Sequence, residues 1–135
     1  MNHIKYTLVT TSDESTWGLS QNTLFLGEWC KRFSKASKWE KLNYKTLESH
    51  WIQKQQRNTD SDYLFNIHEI ILKALVKKLN SIHKTQHSEK YWRIIVSPWL
   101  HRFIRIIFDR WATLKKAIDE NEISECNIYE TPVAN

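Results

Sequence analysis

Glycine is scarce in this chain: there are two in 135 residues, Gly18 and Gly27. Loops that cradle phosphate need several glycines for close backbone approach, and neither G-x-x-x-x-G-K-[ST] nor G-x-G-x-x-G occurs. A glycine-rich nucleotide loop is thereby excluded from the chain. Cysteine is equally scarce: Cys30 and Cys126 are too few for a disulfide scaffold. No apolar run approaches the roughly 20 residues of a membrane-spanning helix. The N-terminal MNHIKYTLVTTSDE has no apolar core of signal-peptide length. A cytoplasmic protein is expected, with any membrane contact peripheral.

What is present is a globular composition, 41% hydrophobic and 26% charged, in a chain long enough for a single domain with one core. The net charge of +5 favours anionic partners: nucleic acid, nucleotide-linked substrates or anionic lipid. It also fits a soluble basic surface with no such role.

The stretch from Ser88 to Trp111, SEKYWRIIVSPWLHRFIRIIFDRW, holds three of the seven tryptophans. After Pro98, Leu100, Phe103, Ile104, Ile107, Trp111, Leu114 and Ile118 recur at steps of three and four, one face of a helix. Ser97-Pro98 reads as serine N-cap and first-turn proline, so a helix is predicted from Pro98 to about Glu120. A second helix is predicted from Thr59 to His83, with Thr59 and Asp62 as its capping signal.

Ile4 to Thr11 reads as a buried strand, followed by a capping box at Thr11 and Glu14 and a short turn ending near Gly18. Thr23 to Trp29 reads as a second strand. Its contiguous Leu24, Phe25 and Leu26 suit a parallel sheet covered on both faces. Cys30 to Lys54 is basic and aromatic with poor periodicity, and is expected to be mostly loop with short helical pieces. Asp119 to Glu125 is polar, and Asn127 to Glu130 is a possible third strand. The expectation is an α/β fold: a partial Rossmann-like layer of two or three short, parallel strands with two long amphipathic helices.

Three stretches carry a resemblance: TLFLGEWCKRFS around Gly27, WEKLNY from Trp39 to Tyr44, and HSEKYWRIIVSPWLHRFIRIIFDRW from His87 to Trp111. Together they are similar to the N-terminal region of a family of bacterial transferases associated with O-antigen and other surface-polysaccharide gene clusters. The resemblance runs from Thr10 onward, and departs at Ser97, where glycine is expected before the proline. It implies a glycosyltransferase-like enzyme of two Rossmann-like domains, several times longer than this chain. The chain would be its N-terminal, acceptor-side portion, inactive alone, with a missing C-terminal domain binding a nucleotide-sugar donor. No cofactor is then expected in this chain. A glycan or lipid-linked acceptor is implied, with peripheral inner-membrane contact as a further expectation.

In open α/β sheets ligands bind beyond the carboxyl ends of the strands. That places Thr10, Thr11 and Trp29 as candidate substrate-binding residues. It makes Glu28 a candidate general base toward an acceptor hydroxyl, or else a carboxylate paired with Lys31 or Arg32. Arg93 and Arg110, each beside a tryptophan, are candidate phosphate contacts, whereas Arg102 and Arg105 read better as a solvated face with structural ion pairs, Arg105 being able to pair with Asp109 at i, i+4. Cys30 reads as a small buried hydrophobe. Trp29, Trp39 and Trp51 can stack on a sugar or base, or belong to a core. His83 and His87 have metal-ligand spacing but lack a third ligand, so no metal site is expected. The alternative is a basic aromatic module that binds nucleic acid, a membrane surface or a protein partner. No nucleic-acid motif supports the first of these, and nucleic acid is not an expected partner.

Overall fold

The computed structural model describes residues 4–18 and 22–129. The chain divides into two compact units, Met1–His50 with Thr113–Asn135, and Trp51–Ala112.

The first unit is built on a parallel sheet of four strands: β1 (Lys5–Val9), β2 (Thr23–Phe25), β3 (Tyr44–Thr46) and β4 (Glu122–Cys126). Their order is β3-β2-β1-β4, and every neighbouring pair is parallel. The α/β class and the two long helices agree with the sequence reading, but the described residues form four strands, not two or three. The apolar residues of β1 and β2 explain why these strands lie centrally. Leu8, Val9, Leu24, Phe25 and Leu26 are all buried, each worth about 1.5–3 kcal/mol relative to exposure. Trp17 meets Phe25 edge-on at 5.6 Å between ring centroids, and Cys30, Leu47 and Ala117 complete the core. Cys30 is thus the small buried residue expected.

Several boundaries differ from those read in the sequence. β2 stops at Phe25, because the chain turns at Gly27 into a 3-10 turn, Glu28–Cys30. The basic segment contains short helical pieces as expected, including α1 (Ala36–Trp39), but also β3. The last strand lies at Glu122–Cys126, not from Asn127 onward, and Asn127–Tyr129 is irregular. Glu130 lies outside the described residues. After β1 the cap is Asp13 rather than Thr11: its carboxylate accepts from the Ser15 N–H at 2.9 Å.

The second unit is a helical hairpin of α2 (Lys54–His83) and most of α3 (Glu89–Glu120), whose last turns belong to the first unit. α2 starts one and a half turns before Thr59, whose hydroxyl donates within the helix to Gln55 O, so Thr59 is no cap. α3 does not begin at Pro98 but at Glu89, after Ser88, whose Oγ accepts from the Tyr91 N–H at 3.3 Å. Proline withholds an N–H from the preceding turn and disfavours a helix interior. Packing overrides it here. Trp92 and Leu100, on either side of Pro98, are both buried. α3 also contacts α2 before the proline through Arg93 and Glu69, and after it through His101 and His68.

One residue organises the turn between the helices. Lys84 adopts a left-handed conformation (φ 54°) at the end of α2. The Oδ1 of Asn80 accepts from the Thr85 hydroxyl (3.0 Å), the His87 N–H (3.0 Å) and the Trp92 indole N–H (2.9 Å). Its Nδ2 donates to His87 O at 2.9 Å. Asn80→Ala leaves these partners unsatisfied around a buried indole. We expect a loss of about 1–3 kcal/mol in stability, measured by urea unfolding.

Candidate functional site

The order β3-β2-β1-β4 reverses direction at β1: two strands follow on one side and β4 returns on the other. Ligand crevices in open parallel sheets lie at such points, beyond the carboxyl ends. The rim there starts with Thr10 and Thr11. The Thr16 hydroxyl donates to Asp13 O at 2.6 Å. The Thr11 hydroxyl therefore donates to Thr16 Oγ1 (2.7 Å), while accepting from the Asp13 N–H (3.1 Å). Thr11 is committed to holding its own loop. Thr10, half-buried, makes no side-chain hydrogen bond among the described residues. The loop is clasped from outside by Lys35 and Lys38 on Glu14, and Lys35 also donates to Ser12 O. Lys38 foremost holds the Glu14 carboxyl below its usual range, and the Ser15 N–H does the same for Asp13.

β2 brings its own rim beside this one. The Leu26 N–H donates to Val9 O at 2.9 Å, and the Cys30 thiol reaches the same oxygen at 3.5 Å. Glu28 and Trp29 follow on the same edge. Glu28 is open to solvent and paired with Lys31 at 3.2 Å. Lys31 is nearly buried and lies over the rings of Trp39 and Tyr44. The Trp29 indole folds back over Gly27, where a Cβ would collide with it and force the exposed ring to move. Thr10, Thr11, Glu28 and Trp29 thus share one edge. A hydroxyl without a partner, an open carboxylate and an exposed indole are suited to a polyhydroxylated ligand.

Sequence reading missed the far side of this rim. The Thr7 hydroxyl donates to Glu125 Oε1 at 2.7 Å, and Asn127 Nδ2 approaches Thr16 O at 3.5 Å. Gly18 (φ +70°) lies against both: a Cβ there would be 2.9 Å from Thr7 Cγ2 and 3.2 Å from Asn127 Nδ2. Only the strand read at NIYE, Asn127 to Glu130, points to this region, and that reading lies too late, since Glu122–Cys126 forms the strand.

Arg93 and Arg110 belong to the second unit. Arg93 is bidentate on Glu69 (2.6 and 2.7 Å) and also bonds Glu89 (2.8 Å). Arg110 approaches Asp109 at 3.9 Å. Beside this network the fully buried His68 stacks flat on His101, 3.7 Å between centroids. Its Nδ1 is 3.1 Å from Glu69, and its Nε2 has no hydrogen-bond partner among the described residues. Burial, then the neighbouring His68, lowers the pKa of His101. His83 and His87 are stacked on Trp92 and Tyr91.

Residues 6–134 match the model of the LIC12162 family transferase, and the chain belongs to that family. No curated protein and no solved structure matches the chain significantly.

The Arg93 contact fixes a pH dependence. It lowers the Glu69 pKa from 4.5 to about 2. The contribution of the pair is therefore complete above pH 4.5 and is lost as the pH falls through about 2. Thermal melts over that window should show Glu69→Gln less stable than wild type at neutral pH and converging with it in acid. Parallel curves would refute the assignment.

Proposed function

We propose, from the transferase family to which the chain belongs, that it is the acceptor-side N-terminal portion of a glycosyltransferase-like enzyme. The pathway is bacterial surface-polysaccharide biosynthesis, O-antigen included, and the donor is a nucleotide sugar held by a C-terminal domain. The observation that carries this reading is the parallel sheet reversing at β1, with Thr10, Glu28 and Trp29 on its carboxyl edge. Such an edge is where doubly wound enzymes place ligands. The two glycines, Gly18 and Gly27, are engaged in close packing, consistent with a donor phosphate site elsewhere.

In this scheme Trp29 stacks on a sugar face of the acceptor, and the Thr10 hydroxyl orients it. Glu28 accepts the proton of the attacking acceptor hydroxyl as that oxygen bonds to the donor's anomeric carbon, and the nucleoside diphosphate departs. Lys31 positions the carboxylate. General-base catalysis of this kind is worth about 10²–10⁴ in rate.

The test joins this chain to the coding region that follows it and assays transfer from nucleotide sugars. Glu28→Gln should lower kcat by about 100-fold or more with an unchanged melting temperature. Wild-type turnover in that variant removes Glu28 from the chemistry. Absence of transfer in the joined protein, with every donor and acceptor offered, overturns the glycosyl-transfer reading itself.

A further inference from the structure

The helical hairpin contains a cleft of about 470 Å³ that the transfer scheme does not use. This volume lies within the range of small-molecule sites, about 300–1,000 Å³. All its lining residues belong to the second unit. Three of them are arginines: Arg57 from the start of α2, and Arg102 and Arg105 one helical turn apart on α3. No carboxylate lines the cleft, and among the described residues none of the three arginines forms an ion pair.

That absence is informative because the same hairpin neutralises cations elsewhere. Arg93 is bound by two carboxylates. Like charges one turn apart repel, and nothing in the cleft offsets it. Asp60, the nearby buried acid, is engaged by the Trp51 indole N–H (2.7 Å) and the Gln56 amide (2.8 Å).

The cleft is also built. Arg105 lies over the Trp51 ring, 5.1 Å to the centroid, and Trp51 also stacks with Phe108 of α3 and donates to Asp60 of α2. The indole is thereby fixed between α2 and α3, and it holds Arg105 in place. Ser61 and the neutral-leaning His101 add hydrogen-bonding groups without adding acid. Leu64, Phe65 and Ile104 supply an apolar wall.

We propose that this cleft binds the phosphate or diphosphate group of an organic ligand, with Arg57, Arg102 and Arg105 on the anion and Leu64, Phe65 and Ile104 against the organic body. Three guanidinium forks match a polyanion with several oxygens. A monocarboxylate would leave two of the charges uncompensated. An inorganic anion would leave the apolar wall unused. The chemistry is shared by nucleoside diphosphates and by lipid phosphates, and the test separates them.

Isothermal titration calorimetry on the full chain uses three probes: inorganic pyrophosphate, uridine diphosphate, and dihexanoylphosphatidic acid below its micelle concentration. Saturable binding of either organic phosphate supports the site. Uridine diphosphate alone identifies a soluble nucleotide source, and the phosphatidic acid alone a lipid one. Arg57→Gln and Arg102→Gln should each weaken binding by about tenfold or more, with Arg102→Lys retaining part of it. Lys78→Gln, elsewhere on α2, should leave it unchanged. Circular dichroism of each variant confirms that it is folded. Binding of pyrophosphate alone, binding of none of the three, or binding insensitive to both arginine variants would overturn the proposal. Because binding is read without turnover, this result is separate from the fate of the transfer scheme.

Discussion

Strand β1 is hydrogen-bonded on both sides, and the first unit depends on that. Thr7, Leu8 and Val9 are buried, so their backbone polar groups must be paired within the protein. Their partners lie on opposite sides in the sheet and at very different distances along the chain: β2 begins at Thr23 and β4 at Glu122. β4 contributes few buried side chains. It is retained by its ladder to β1, by the Thr7–Glu125 bond, by Ser124 donating to Tyr6 O, and by the Lys5–Glu122 pair. The register shifts between Tyr6 and Thr7, which brings Glu125 opposite Thr7. A consequence follows for function. The carboxyl edges of β1 and β4 become neighbours only because residues 118 positions apart are bonded, and the rim that carries Thr10 is formed there.

The hairpin is held differently. Its seam is not purely apolar: the buried or half-buried groups include Asp60, His68, Asn80, Glu69 and Arg93. Apart from His68 Nε2, these groups find partners where they lie, because a polar group left alone in such a place costs about 1–3 kcal/mol. Arg93 is the clearest case. Its fork spans Glu69 on the other helix and Glu89 one turn back on its own. Such a bond fixes how α2 and α3 are aligned along their axes, which interchangeable aliphatic contacts do less well. It also holds α3 on α2 one turn before Pro98, where the helix is weakest.

These differences in what holds each unit decide what could be read from sequence. β1 and β2 were legible because burial on both faces writes itself as contiguous apolar residues such as Leu24-Phe25-Leu26. β3 and β4 were not, since Tyr44, Lys45, Glu122 and Glu125 are exposed and form no apolar run; the backbone ladder and single side-chain contacts such as Thr7–Glu125 and Lys5–Glu122 hold them. The end of α3 was legible from its apolar period, but its start was hidden by a local signal, Ser97-Pro98, that tertiary packing overrode. The edge positions Thr10, Thr11, Glu28 and Trp29 followed from strand ends placed within a few residues. Glu125 and Asn127 could not follow, because their relation to Thr7 and Thr16 is one of topology, not of spacing.

The arginines make the same point in reverse. Adjacency to tryptophan singled out Arg93 and Arg110, yet Arg93 is chelated by carboxylates and is structural in its contacts. Arg102 and Arg105 read as a solvated face with structural ion pairs because Asp109 stands four residues after Arg105 on the same helix, yet Asp109 approaches Arg110. What distinguishes them lies on other segments: Arg57 on α2 and Trp51 before it complete a cleft without acid. A cation's role is therefore set by whether the fold brings it a counter-ion. Among the described residues the fold supplies two carboxylates to one arginine of this hairpin and no ion pair to three others that line a single cavity. Packing alone gives no advantage to that distribution, since the three would be more stable dispersed. An anion arriving from solution removes the discrepancy.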